Sequence, residues 1–398
     1  MNFRDVFARQ IGLDPPWALP RCVEDRKTRS IDLSKTKDVQ IYHTKGVLCL
    51  DLDPVDARYL LSGGADAAIA IYDTRNVRGE KTFKAEVEYT IPGKRPPGHN
   101  YSVNSIQWYP HDTGMFISSS SDKSLKIWDA NRLMVAEQFL FSGPVYCHHL
   151  SPVPSKSCLI AVGSEETFVT LCDIKSGSQT HILRGHDDSV QSVCWSPRNE
   201  YFLLSGGCDN RILLWDIRKS KSCLASLDQY NGKKASDNPS LGCIAHNGGV
   251  NGLHFLPDGL HLLSYGTDHR IRLWDVYSFK NTLVNYGRVK NPGWKKHCQL
   301  AVSSCQNPGY VFVPSTTSIQ VFDIHRGKKI KLLKGHFNAV NCCIFNSNKQ
   351  ELFSGSVDCN ILVWDAKSAD SDSTPEKEEN LHQPNPFFGD TWSDDDED

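Results

Sequence analysis

Six aromatic–aspartate pairs and one Cys-Asp pair close apolar runs along the chain at nearly constant intervals. Tyr72-Asp73, Trp128-Asp129, Cys172-Asp173, Trp215-Asp216, Trp274-Asp275, Phe322-Asp323 and Trp364-Asp365 are separated by 56, 44, 43, 59, 48 and 42 residues. A period of this size marks a repeat architecture, in which each unit buries its apolar face against its neighbours. Within five of the seven units the spacing is stricter still. A Ser, an Asp four residues on and an aromatic six further recur as Ser62/Asp66/Tyr72, Ser118/Asp122/Trp128, Ser205/Asp209/Trp215, Ser264/Asp268/Trp274 and Ser354/Asp358/Trp364. A His lies 18 or 19 residues before each Ser: His43, His99, His186, His246 and His336.

Each unit reads as four short strands. In the fourth, Val190–Trp195, Tyr201–Ser205 and Arg211–Asp216 alternate with turn residues, the second turn being Gly206-Gly207-Cys208-Asp209-Asn210. Residues Ala225–Asp228 supply a fourth strand. This pattern resembles the WD repeat, whose four-stranded blades build β-propellers. The expected fold is all-β, a seven-bladed WD-repeat β-propeller over residues 38–365. A short helical segment, 1–37, precedes it, and a disordered acidic tail, 366–398, follows. Units three and six depart from the pattern. Glu166 and Cys172 take the turn-Asp and Trp positions in unit three, and residues 299–323 of unit six have neither. Omitting them would require structureless loops far longer than compact domains tolerate, so both count as blades. A propeller protects its edges by closing, and the strand completing blade seven is expected at Asp38–Tyr42, paired with Asn360–Asp365.

A Ser-His-Asp set invites a hydrolase reading. Here the set recurs five times, whereas an enzyme needs one site. The scaffold reading has Asp cap the tight turn and bind the His, which links through Ser to the Trp indole. Each such bond contributes about 1 kcal/mol, and a buried partner left unsatisfied costs about 1–3 kcal/mol. Neither a nucleophile elbow, a P-loop, an H-E-x-x-H nor a G-x-G-x-x-G stretch occurs. No unique polar cluster for the central channel can be picked out either, so the chain is expected to be non-catalytic, with no cofactor.

The 14 cysteines include no C-x-x-C pair, and Cys147-His148-His149 lacks zinc-knuckle spacing, so no metal site is expected. No apolar run approaches the roughly 20 residues that span a bilayer. The N-terminus carries Arg4 and Asp5 without an apolar core, so neither membrane nor secretory pathway is expected. Thiols then stay reduced and act as small buried hydrophobes. The formal charge of −2 is a cancellation. Residues 366–398 hold eleven acids and two bases, leaving 42 bases against 35 acids in residues 1–365.

Outside the ring, Phe3, Val6, Phe7 and Ile11 fall on one stripe of a helix. Such a helix either docks on the propeller or enters a partner's groove. In the tail, Ser393 precedes Asp394-Asp395-Asp396-Glu397 and is a candidate phosphosite for an acid-directed kinase. Basic clusters at Lys94-Arg95, Lys233-Lys234, Lys295-Lys296 and Arg326–Lys334 are modest, and sequence-specific nucleic-acid binding is not expected.

Trp215-Asp216-Ile217-Arg218 and the weaker copy Tyr72-Asp73-Thr74-Arg75 look like the W-D-x-R ending of receptors that dock on the damage-binding adaptor of cullin-4 RING ubiquitin ligases. Beyond this motif, the chain resembles the Cockayne syndrome group A family. The carrying segments are Gln107–Phe116, Leu227–Lys234, Asn281–Gly287, Ala8-Arg9-Gln10 and Asn385-Pro386 through Trp392-Ser393, which the WD pattern does not dictate. The resemblance implies a nuclear, chromatin- or matrix-associated substrate receptor in transcription-coupled nucleotide excision repair. Its implied partners are the adaptor, cullin-4 and the RING subunit indirectly, the Cockayne syndrome group B remodeller, and stalled RNA polymerase II with repair factors. It places Phe3, Val6, Phe7 and Ile11, with Arg218 and Arg75, at the adaptor. A general WD-repeat scaffold without ligase linkage is the alternative.

Overall fold

The computed structural model describes residues 18–75, 82–153, 158–219, 223–232, 243–293, 297–303 and 309–366. Phe3, Val6, Phe7, Ile11, the tail beyond Ala366 and Ser393 lie outside the described residues.

Alternation of apolar residues with turn chemistry yields seven four-stranded antiparallel sheets arranged as a seven-bladed propeller. Blade four runs from its inner strand Val190–Trp195 through Phe202–Gly207 and Ile212–Asp216 to the outer strand Cys223–Ser226. The outer strand thus starts two residues before the expected Ala225, because Leu213 pairs with Ser226 across a bulge at Leu214/Trp215. The third and sixth units form blades despite lacking the tetrad, although the sixth has an inner strand of only two residues, Ala301–Val302. Seven apolar clusters separate the blades, one for each adjacent pair. The indoles of Trp128, Trp215, Trp274 and Trp364 are fully buried in this packing.

The ring closes differently from the expectation. The strand that completes blade seven is Ile31–Leu33, antiparallel to Ile361–Ala366 with Ile31 opposite Ala366 and Leu33 opposite Trp364. Ile31 is fully buried in the cluster between blades six and seven. Residues 38–42 do other work. Lys37–Val39 pairs in parallel with Phe83–Ala85, and Val39 joins the cluster between blades seven and one. The physical reason is packing. Ile31–Leu33 is a strand short enough to leave no periodic signal, whereas Val39 is buried between blades seven and one. Ahead of the closing strand, Ala18–Ser30 is an α-helix, so the N-terminal segment ends at Ser30 and the propeller begins at Ile31.

Six inner strands open on Val-x-small and carry a bulge there: Val47/Cys49, Val103/Ser105, Val145/Cys147, Val190/Ser192, Val250/Gly252 and Val340/Cys342. In four blades the small residue faces a glycine of the second strand. A Cβ on Gly63 would lie 2.6 Å from Cys49 Sγ, and one on Gly206 would lie 2.7 Å from Ser192 Oγ. Blade five inverts the sizes. Gly252 makes room for Tyr265, whose hydroxyl donates to the carbonyls of Val289 and Pro314 at 3.3 Å.

Candidate interaction surfaces

The tetrads are assembled as the spacing implies. In blade two, His99 Nδ1 lies 2.8 Å from Asp122 and Nε2 lies 2.6 Å from Ser118 Oγ, which accepts the Trp128 indole N–H at 2.7 Å. Burial pushes the His99 imidazole below its ordinary range against the pull of Asp122. The neutral ring donates through Nδ1 to the carboxylate and accepts the serine proton at Nε2. Burial works against the Asp122 carboxylate, but the bonds to His99, Ser124 and the Asn100 N–H hold it well below the usual carboxylate range. His186/Ser205/Asp209/Trp215, His246/Ser264/Asp268/Trp274 and His336/Ser354/Asp358/Trp364 repeat the chain of bonds. In blade one, His43, Ser62 and Asp66 keep it, with Tyr72 buried at the indole's position.

These turns define one end of the ring; the turns after the inner and third strands define the other, basal end. Both W-D-x-R arginines emerge basally, three blades apart. Arg218 folds back on its own Asp216 in a bidentate pair, Nε–Oδ1 3.0 Å and Nη2–Oδ2 2.9 Å, and lies 4.4 Å from the Tyr201 ring centroid. In blade one that role passes to Arg58, which grips Asp73 at 2.6 Å and covers Tyr59. Arg75 remains exposed and bonds Asp73 through its backbone N–H. It lines a basal groove of about 290 Å3 with Lys37, Val39, Lys349, Glu351 and Phe353. The helix Ala18–Ser30 sits on the same end at blades six and seven. Arg29 donates to the Tyr310 hydroxyl at 2.8 Å, and Thr28 donates to Gln350 at 3.4 Å. The structure therefore brings the helix Ala18–Ser30 and both arginines to one end without gathering them into one patch.

The channel holds what the sequence concealed. A cavity of about 230 Å3 is lined by His148, His149, His254 and His297 with Asp51 and Gln299. The expectation of no unique polar cluster there is corrected: Asp51, His148-His149, His254 and His297–Gln299 are four separate stretches of chain, and only ring closure juxtaposes them. Burial pushes His148 and His149 down to about 3 and His254 and His297 down to about 4. It pushes Asp51 up to about 7 against the Trp108 N–H bond. The inner-strand side chains staple blades together. Asp51 accepts from Trp108 N–H at 2.6 Å, Gln107 from Leu150 at 2.8 Å and His149 from Trp195 at 3.1 Å. Among the described residues, no group of three His, Cys, Asp or Glu side chains is placed to hold a metal ion. The neighbouring Cys194 thiol is pushed up to about 12 by burial, so it is no ready nucleophile.

Seven closed blades and the repeated His–Asp–Ser–Trp chain define a WD-repeat β-propeller, and the chain belongs to the WD-repeat family. The family model described as WD domain, G-beta repeat, matches residues 36–73, 91–129, 177–216, 238–275 and 327–365, the units that carry the tetrad or its Tyr72 form. The WD repeat-containing protein ATCSA-1 of Arabidopsis thaliana is 35% identical over 410 residues, covering 86% of this chain and 90% of that protein. Histone acetyltransferase type B subunit 2 of Candida glabrata is 27% identical, covering 45% of this chain and 40% of its own length. Radiation-sensitive protein 28 of Saccharomyces cerevisiae is 26% identical, covering 45% and 39%.

Proposed function

We propose that this chain is the substrate-recognition subunit of a cullin-4 RING ubiquitin ligase acting in transcription-coupled nucleotide excision repair at stalled RNA polymerase II. The observation that carries the reading is the similarity to the plant CSA-designated relative, which runs through most of both chains instead of the repeats alone. Support comes from the basal end, which carries both the helix Ala18–Ser30 and Arg75. On this reading the helix bearing Phe3, Val6, Phe7 and Ile11 enters the adaptor, and the group B remodeller is held elsewhere on the ring, in the nucleus. The chain catalyses nothing; holding a target beside the RING and its conjugating enzyme raises the effective concentration of target lysines.

One observation favours a general scaffold instead. Arg218 is already engaged by Asp216 and Tyr201, so its W-D-x-R ending serves the blade as it stands. Adaptor pull-down with the full chain separates the readings. Phe7→Asp is expected to abolish capture and Arg75→Glu to weaken it, while both variants melt as wild type does. Undiminished capture by Phe7→Asp refutes the ligase reading in favour of the scaffold.

A further inference from the structure

In every tetrad, the residue after the His donates its backbone N–H to the turn Asp: Thr44, Asn100, Asp187, Asn247 and Phe337, at 2.9–3.1 Å. The backbone there is fixed by the tetrad, and the side chains of Thr44, Asp187 and Asn247 are engaged in turn by Asp66, Arg211 and Gln229. Four of the five are polar, as such a position asks. The fifth, Phe337, is 89% exposed. Nothing in the fold requires a phenyl ring there, and holding it in water carries a standing hydrophobic cost. Two further apolar side chains stand exposed on the same end of the two following blades, Ile41 at 64% and Tyr101 at 66%. Tyr101 is anchored through its carbonyl, which accepts from Ser120 Oγ at 3.0 Å.

The charges of this sector are one-sided. Lys45, Lys94, Arg95 and Lys123 are exposed on blades one and two, while the carboxylates Asp66, Asp122 and Asp358 are consumed by their histidines. Among the described residues, exposed acids of this end reappear on blades three and four, at Glu165, Asp187 and Asp188, with Asp187 paired to Arg211 at 3.0 Å. Between the aromatics, the channel mouth opens as a cavity of about 200 Å3 lined by Ser102, Asn104, Ser121, Tyr146 and Asn341.

We infer that the sector of blades seven, one and two on the tetrad-bearing end is a docking surface for an extended acidic segment of a partner protein. Its apolar residues cover Phe337 and Tyr101, and its carboxylates meet Lys45 and Lys123. A peptide suits the surface better than a nucleic-acid strand. Past blade two the cations are interrupted by Glu165, Asp187 and Asp188, and the mouth offers neutral hydroxyl and amide groups. The surface lies opposite the basal end and would serve a ligase receptor and a plain scaffold alike.

The test is fluorescence anisotropy with the full chain and labelled nonapeptides of alternating Asp/Glu around a central Phe-x-Leu. Controls are the same peptides with Ser for the apolar pair, with Lys/Arg for the acids, and a single-stranded 12-mer oligonucleotide. The acidic apolar peptide is expected to bind best, with affinity falling as salt rises. Phe337→Ser is expected to weaken it about tenfold or more, as does Lys45→Glu combined with Lys123→Glu. Both variants should keep adaptor capture and wild-type melting. Equal binding by wild type and variants, no preference for the acidic apolar peptide, or stronger binding of the oligonucleotide would each overturn the assignment.

Discussion

Replacing Ser118 by Ala tests whether the tetrad is a load of satisfied bonds or an ornament of the family. The hydroxyl is completely buried, as are the His99 and Trp128 side chains around it. It accepts the indole N–H at 2.7 Å and lies 2.6 Å from His99 Nε2. Removing it leaves a buried donor on Trp128 and a buried acceptor on His99. Each orphan costs about 1–3 kcal/mol, so Ser118→Ala should lose about 2–6 kcal/mol. Trp128→Phe removes the donor itself and leaves the Ser118–His99 bond, so its cost is mainly a small cavity. The double variant then has one orphan fewer than the serine variant implies. It should be more stable than the sum of the singles predicts by about 1–3 kcal/mol. Guanidinium unfolding followed by tryptophan fluorescence and far-UV circular dichroism measures this, provided the two probes coincide. A serine variant within about 0.5 kcal/mol of wild type, or strictly additive singles, would refute the bond chain.

Ile31→Ala should cost about 2–5 kcal/mol because Ile31 is fully buried beside Trp364, while Leu33→Ala, at a partly exposed site, should cost far less; equal midpoints would remove Ile31–Leu33 as the closing strand. Removing residues 1–17 should leave the melt unchanged, whereas removing 1–35 should lower it sharply. Gly206→Ala brings a Cβ to 2.7 Å from both Ser192 Oγ and Val250 Cγ1 and should cost about 1–3 kcal/mol. Adding Ser192→Gly should recover only part, since Val250 stays; full recovery would show that the neighbouring blade is not in the way. Stability should also fall on mild acidification. The channel histidines take up protons near 6.5 when unfolded but only near 3–4 when folded, so the unfolded chain binds more protons through that window. Each contributes a loss of at most about 1.4 kcal/mol per pH unit as pH drops below 6.5, and Asp51, shifted up, offsets one of them between 7 and about 4. A denaturation midpoint flat from pH 7 to pH 5 would contradict this.

The tetrads were legible because chemistry repeated at fixed spacing leaves a periodic trace, and their bonds formed as the spacing implied. Blades three and six were legible only by exclusion, and Cys172 and Phe322 are buried where the indoles of other blades lie. The Val-x-small openings were also written in the chain, though their meaning needed the facing glycines. Ile31–Leu33 escaped because three residues carry no period, and the nearer run at 38–42 fitted the repeat's arithmetic better. His148, His254 and His297 escaped for a topological reason, since their meeting depends on the bend of the whole ring. From the sequence, Arg218 was open to docking or to pairing with a neighbouring acid, and Asp216 two residues before it takes it.

The closing strand also sets a timetable. Ile31–Leu33 leaves the ribosome before every other described strand, and its partner Ile361–Ala366 is the last of the described strands to be made. The joint that completes the ring therefore spans the sequence of all seven blades, and such contacts form late and slowly. Until then every nascent intermediate carries an unpaired sheet edge, the kind of surface on which aggregation and chaperone capture begin. A chain stopped anywhere before Trp364 never reaches closure, whatever the quality of the blades it has already built.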